Sequence, residues 1–168
     1  PAGENHSIER GFFPALLRRG DLVRAWIHRG YWIDIGTPEK YLQVHRDILE
    51  GRFPVALAGE RRAGGWVHPE AQVDAGAELE GAFYVGPGCR VEAGAHVGPD
   101  AVLCRNVRVA SGVWVRDSVV WDGGVLEESA SVDGALLGAG VRVGRHARLA
   151  PGAFLGDGSV VSDHSRTH

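Results

Sequence analysis

From Val67 onward an apolar residue returns at every sixth position: Val67, Val73, Leu79, Val85, Val91, Val97, Leu103, Val109, Val115 and Trp121. After one step of five the series resumes at Leu126 and Val132, and after a second it runs through Leu137, Val143, Leu149, Leu155 and Val161. All seventeen positions are apolar. Four residues after each stands a second, mostly small or branched class, such as Ala71, Cys89, Ala95, Val107, Val119 and Ala130, and Gly, Pro, Asp and Asn crowd the places between. A period of six matches neither the 3.6 of a helix nor the alternation of a hairpin sheet. It suits a chain that runs a short strand, turns a corner and repeats, so that three sides close one coil. The large aliphatic side chain then fills the interior, the smaller one sits near the corner, and Gly or Asn takes the positive φ of a tight corner. Seventeen hexads predict between five and six coils of parallel strands, stacked about 4.8 Å apart. Phe83, Trp114, Trp121 and Phe154 are large for such a prism and are expected to cap its ends or face a partner.

Residues 1–66 carry no repeat. Ser7 is placed to cap a helix with Ile8, Phe12, Phe13, Leu16 and Leu17 on one face, Pro14 breaking or kinking it and Gly20 at its end. Residues 22–28 and 31–35 are rich in branched and aromatic side chains and flank Arg29-Gly30, which predicts a strand pair. Thr37 is a natural N-cap, Pro38 follows at the first helical position and Glu39 suits the positive helix end. Tyr41, Leu42, His45, Ile48 and Leu49 then repeat at helical spacing until Gly51. Residues 57–65 show no period and read as an exposed connector.

Composition supports a division near Trp66. All five Ile and three of the five Trp lie at or before it, whereas 18 of the 21 Val lie after it. The expected parts are 1–53, a connector 54–66, and 67–168. The first part is too small to bury a good core alone, and the chain starts at Pro1 and contains no Met, so it is expected to be a piece of a longer protein. A net charge of −3 disfavours a nucleic-acid partner. No long apolar run or signal-like start is present, which points away from the membrane and to the cytoplasm. Cys89 and Cys104 lack the paired spacings of zinc or redox sites and read as packed thiols.

Two stretches resemble known families. The run V-G-P-G-C-R-V-E-A-G-A-H-V-G-P-D-A-V from Val85 to Val102 resembles the hexapeptide-repeat left-handed β-helix. That prism occurs in acyltransferases, in a class of carbonic anhydrases and in nucleotidyltransferase tails. His68, His96 and His146 fall at different places of their hexads and do not obviously converge, and no loop interrupts the hexads, so a catalytic role for His96 or His146 is set below that of solvated corner residues. The second stretch, G-Y-W-I-D-I-G-T-P-E-K-Y from Gly30 to Tyr41 with S-I-E-R-G-F-F-P from Ser7 to Pro14, resembles the C-terminal end of the catalytic domain of sugar-phosphate nucleotidyltransferases, or NDP-sugar pyrophosphorylases. The resemblance covers residues 4–53. The order of domain end, helix, connector and β-helix is similar to mannose-1-phosphate guanylyltransferases.

The resemblance implies transfer of a nucleotidyl group from an NTP to a sugar 1-phosphate, with GTP and mannose 1-phosphate as the expected pair. It implies Mg²⁺, with Asp34 at the position of a metal-binding aspartate; a hard cation wants carboxylate oxygen, and Mg²⁺ takes only one or two. Without the motif, Asp34 reads as a strand-end carboxylate bonded to backbone amides near Gly36 and Thr37. Trp32 reads as a wall of the sugar subsite or as plain core, and Glu39 as a partner of the helix dipole. The Gly-rich phosphate loop, the second metal-binding aspartate and the specificity residues of that family have no counterpart in the sequence, so this chain alone is expected to be inactive. The β-helix is expected to assemble the protein as a homo-oligomer, because its flat sides and open ends invite like subunits. A non-catalytic assembly or regulatory subunit is the alternative, and a hexapeptide acyltransferase stands behind both.

Overall fold

The structure is a computed structural model that describes residue 3 and residues 5–167. Pro1, Ala2, Glu4 and His168, which the expected boundaries include, lie outside the described residues. Contacts divide the chain into two units, one ending at Gly30 and the other beginning at Tyr31.

In the first unit Ser7 caps as expected, its Oγ accepting from the Arg10 amide at 3.0 Å. A five-residue π-helical turn, Ile8–Phe12, leads into α1, Phe13–Arg19, with Pro14 in its first turn and Gly20 closing it at φ 75°. Neither of the expected strands is one within its own unit: residues 22–28 and residues 31–35 carry no regular secondary structure. Branched and aromatic residues favour strands only when a neighbour covers them, and a lone two-stranded hairpin is marginal in water. Trp26 is 91% exposed, so nothing in its own unit supplies that cover.

The second unit is a triangular prism of parallel strands, a left-handed β-helix of between five and six coils. One sheet contains Gly65–Val67, Phe83–Val85, Ala101–Leu103, Val119–Val120, Leu136–Leu137 and Phe154–Leu155. The second contains Gln72–Val73, Arg90–Val91, Arg108–Val109, Val125–Leu126, Arg142–Val143 and Val160–Val161. The third contains Glu78–Leu79, His96–Val97, Trp114–Arg116, Ser131–Asp133 and Arg148–Leu149. The sixfold aliphatic series fills the interior, from Val85 through Val97 and Leu126 to Val143.

Register corrects one phase of the repeat. Val67 pairs with Val85 eighteen residues on, but Leu103 pairs with Val120, only seventeen on. The first short step therefore falls between Val115 and Val120. Val120 is fully buried, and Trp121 is turned outward. The corner residues with positive φ give the same answer, stepping by six from Gly88 to Gly112 and by five to Asp117. Near both short steps the small inward residues are Ser118 and Ala135, not Val119 and Leu136, whose places are one residue on. Phe83 is likewise not an end cap. It is fully buried, and its ring lies where a Cβ on Gly65 would approach it to 2.5 Å, so the missing side chain of Gly65 makes its room.

The connector is partly ordered by a hairpin. β1, Glu60–Arg62, pairs antiparallel with β2, Gly65–Val67, across Ala63 and Gly64, both at positive φ. Two consecutive residues at positive φ suit the tight turn whose twist matches paired strands. α2, Pro38–Leu49, forms where its signals place it, with Thr37 Oγ1 accepting from the Lys40 amide at 3.4 Å. Its apolar stripe lies on the first sheet, where Tyr41, Leu42 and Leu49 pack with Tyr84, Val102 and Val119.

Candidate functional site

A polar knot at the inner side of α2 fixes the segment that carries the expected site residues. Asp47 is buried among otherwise apolar helix positions. Its Oδ2 accepts from the Tyr31 hydroxyl at 2.5 Å, and its Oδ1 accepts from Gln43 Nε2 at 2.7 Å and from Arg52 Nε at 2.8 Å. The Tyr31 ring stacks on Phe53 with centroids 4.7 Å apart, and the Phe53 amide donates to the Asp47 carbonyl. The Tyr31 hydrogen bond, joined by those of Arg52 and Gln43, holds the Asp47 carboxyl below its ordinary range. Desolvation and the same carboxylate push the Tyr31 phenol up to about 12. Arg46 ties the helix to the prism through Asp117 at 2.5 Å.

Trp32, Ile33, Asp34, Ile35 and Gly36 therefore form an arch between two anchors, the Tyr31 knot and the Thr37 cap. The Gly36 amide donates to the Asp34 carbonyl at 3.0 Å and tightens it. The Asp34 carboxylate is exposed and has no ion pair among the described residues. Such a group fits a hard cation as one ligand, with phosphates and water supplying the rest. Among the described residues no group of three or more His, Cys, Asp or Glu is placed to hold a metal. Trp32 is 76% exposed within this unit, so the plain-core reading of it does not hold here. Glu39 stands in the first turn of α2, where a hydrogen bond from Thr37, then one from its own backbone, lowers its carboxyl.

The histidines lie apart. His68 Nδ1 accepts from the Glu70 amide, and His146 stacks on His164 at the same corner of successive coils. His96 stacks on Trp114 at 3.9 Å and meets Glu78 at 3.0 Å. An apolar cavity of about 320 Å³ lies between α2, residues 55–58 and the first sheet, lined among others by His45, Tyr84 and Cys104. Burial pushes the Cys104 thiol up to about 11 and raises that of Cys89, whose Sγ donates to the Cys104 carbonyl at 2.8 Å. Protonated thiols are poor nucleophiles, so this pair packs rather than reacts. Sequence reasoning missed the Asp47 knot; the available signal was a carboxylate set in an apolar stripe, four residues after Gln43 and five before Arg52.

Residues 79–167 match the family described as the GMPPB C-terminal domain. The chain belongs to this family. A mannose-1-phosphate guanylyltransferase of Mycobacterium tuberculosis is 36% identical over 113 residues, 67% of this chain and 31% of that protein. Mannose-1-phosphate guanylyltransferase 1 of Arabidopsis thaliana is 27% identical over 160 residues, 94% of this chain and 40% of that protein. This GMPPB C-terminal domain chain thus spans about a third to two fifths of these relatives. The acetyltransferase domain of PglB from Neisseria gonorrhoeae, in complex with acetyl coenzyme A, superposes with a TM-score of 0.59 at 16% identity, over 74% of this chain and 62% of that one. At that identity the likeness is one of fold alone. No helix among the described residues is long and apolar enough to cross a membrane.

Proposed function

We propose that the chain works as the C-terminal part of a cytoplasmic nucleotidyltransferase that joins GMP from GTP to mannose 1-phosphate. The observation that carries this reading is the family match over residues 79–167, together with relatives named for that activity. In the reaction an oxygen of the sugar phosphate attacks the α-phosphorus of GTP, the bond to the β-phosphate bridge breaks, and pyrophosphate leaves. Transfer of this kind rests on positioning and on neutralising phosphate charge. Bound Mg²⁺ supplies part of that neutralisation, and Asp34 contributes one oxygen to hold it. Trp32 lines the sugar subsite, its exposed indole offering an apolar wall beside Asp34. The knot at Asp47 and the Thr37 cap hold the arch that carries both. The prism assembles like subunits, and the remaining substrate-binding groups come from outside this chain.

The test compares this chain with the longer protein, measuring pyrophosphate released from GTP and mannose 1-phosphate. The longer protein is expected to turn over and the chain alone is not. GDP-mannose formed by the chain alone overturns the division of labour, and none formed by the longer protein overturns the function. Asp34→Asn in the longer protein is expected to lower turnover by at least about tenfold and to raise the Mg²⁺ concentration needed for half activity. An unchanged Mg²⁺ requirement removes Asp34 from the metal site.

A further inference from the structure

The three sides of the prism have different chemistry. On the first, α2 covers Val102 and Val119. On the second, the outward side chains of successive strands include Arg90, Arg108 and Arg142, with Arg90 directly beside Arg108 in the ladder. On the third they run Glu78, His96, Trp114, Ser131 and Arg148, and an isolated bridge sets Arg166 beside Arg148 at the end of the row. Trp114 stands on the middle strand of the five and is 53% exposed, although the flat sheet beneath it is fully formed. Glu78 lies two strands to one side, and Arg148, which has no ion pair among the described residues, lies two strands to the other.

We propose that this third face is a two-fold interface with a second copy of the chain, the prisms running antiparallel and Trp114 meeting its own counterpart at the axis. The proposal rests on the assembly reading above and adds the face and the geometry. With strands about 4.8 Å apart, Glu78 and Arg148 each lie about 10 Å from the Trp114 strand in opposite directions. A two-fold axis along that strand sets each Glu78 opposite an Arg148 of the second copy, so a single complementary pair is made twice. His96 then faces Ser131. Arg116 faces its own counterpart, each already neutralised by Asp133 of its own chain at 2.7 Å. An axis along the prism, giving parallel copies, sets Glu78 against Glu78 and Arg148 against Arg148, which electrostatics disfavours. The second face fails the same test, since antiparallel pairing there opposes Arg90 to Arg142. Trp114 stacked on His96 supplies the flat aromatic centre that interfaces favour.

The test is the mass of the 168-residue chain in solution, by sedimentation or light scattering across a dilution series. The wild type is expected to be a dimer. Arg148→Glu and Glu78→Arg are each expected to raise the dissociation constant at least about tenfold, because like charges then meet twice. The double variant Glu78→Arg with Arg148→Glu is expected to restore dimerisation, which no loss of folding explains. With a short bismaleimide, Trp114→Cys is expected to cross-link to itself. Arg148→Cys is not, since its counterpart is about 19 Å away along the prism. A monomeric wild type overturns the assembly reading itself. A dimer indifferent to both single reversals, or cross-linked as readily through position 148 as through 114, overturns only the choice of face.

Discussion

Ser118 holds the first shortened corner together, and its removal is the sharpest test of how the repeat is built. At six-residue corners the small inward residue closes the turn on its own chain: the amides of Ala95, Ala130 and Ala147 each donate to the carbonyl three residues back, at 3.2, 3.0 and 3.2 Å. At the second five-residue step that closure is missing. The Ala135 amide donates instead to Ser118 Oγ on the preceding coil, at 3.0 Å, while that hydroxyl donates to the Arg116 carbonyl at 2.6 Å. Both Ser118 and Ala135 are fully buried, so water has no access to the bond.

Ser118→Ala leaves the Ala135 amide without its acceptor. The Arg116 carbonyl is still served by the Gly134 amide at 3.3 Å, so one buried group is orphaned and not two. The expected cost is about 1–3 kcal/mol. For a chain of this length that is a fall in melting temperature of roughly 2–4 °C per kcal/mol. Urea unfolding followed by far-ultraviolet circular dichroism measures it, with Ser111→Ala at an exposed six-residue corner as the control. A Ser118→Ala variant within about 0.5 kcal/mol of wild type refutes the reasoning, because surface changes fall in that range.

Leu126→Ala, at a fully buried position between two stacked coils, is expected to cost about 3–5 kcal/mol, and Leu155→Ala in the last coil clearly less; equal losses by the same unfolding measurement count against a continuous interior. Burial lowers the pKa of His45, so the unfolded chain takes up a proton there that the folded chain resists. Stability from this group is present above about pH 6.5 and is lost as pH falls toward the lower folded value. His45→Phe is expected to flatten that limb of the melting curve. Asp47, also lowered, acts in a more acid window: its contribution is present above about pH 3.9 and lost as pH falls through its folded pKa.

The prism was legible because an interior of fixed width demands an aliphatic residue at each side, and nothing else in the chain competes with that period. Its large-residue series was misread only between Val115 and Leu126, for a physical reason. α2 covers the outward side of Val102 and Val119, so outward residues there are apolar too, and the contrast between inside and outside disappears. Ser118, polar and fully buried, is the residue that a hydrophobic series passes over. α2 was legible from Thr37, Pro38 and its stripe, because cap and period agree. The strands at 22–28 and 31–35 were not, since branched and aromatic residues give strand propensity but make no strand without cover, and Trp26 is exposed. The candidate site was legible only as a motif: Asp34 and Trp32 carry no local pattern that separates a ligand from a solvated carboxylate, and their partners do not lie within the described residues.

The outer surface divides labour in a way the repeat alone does not specify. Interior positions are nearly interchangeable aliphatics, so they set the prism's shape and leave its three sides free to differ. One side receives α2, and through Arg46, Asp47 and Tyr31 the prism reaches the arch that carries Asp34. The arch is therefore fastened to a rigid body and not merely tethered to it. The third side is another sheet, which meets that attachment only at the corner residue Asp117, and its charges are ordered along the prism so that a second copy fits only in reverse. Pairing through it leaves the α2 side of each copy uncovered by the contact. Assembly and the positioning of Asp34 then use different sheets of one prism, and substitutions on the outer side of either sheet are free to alter one without the other.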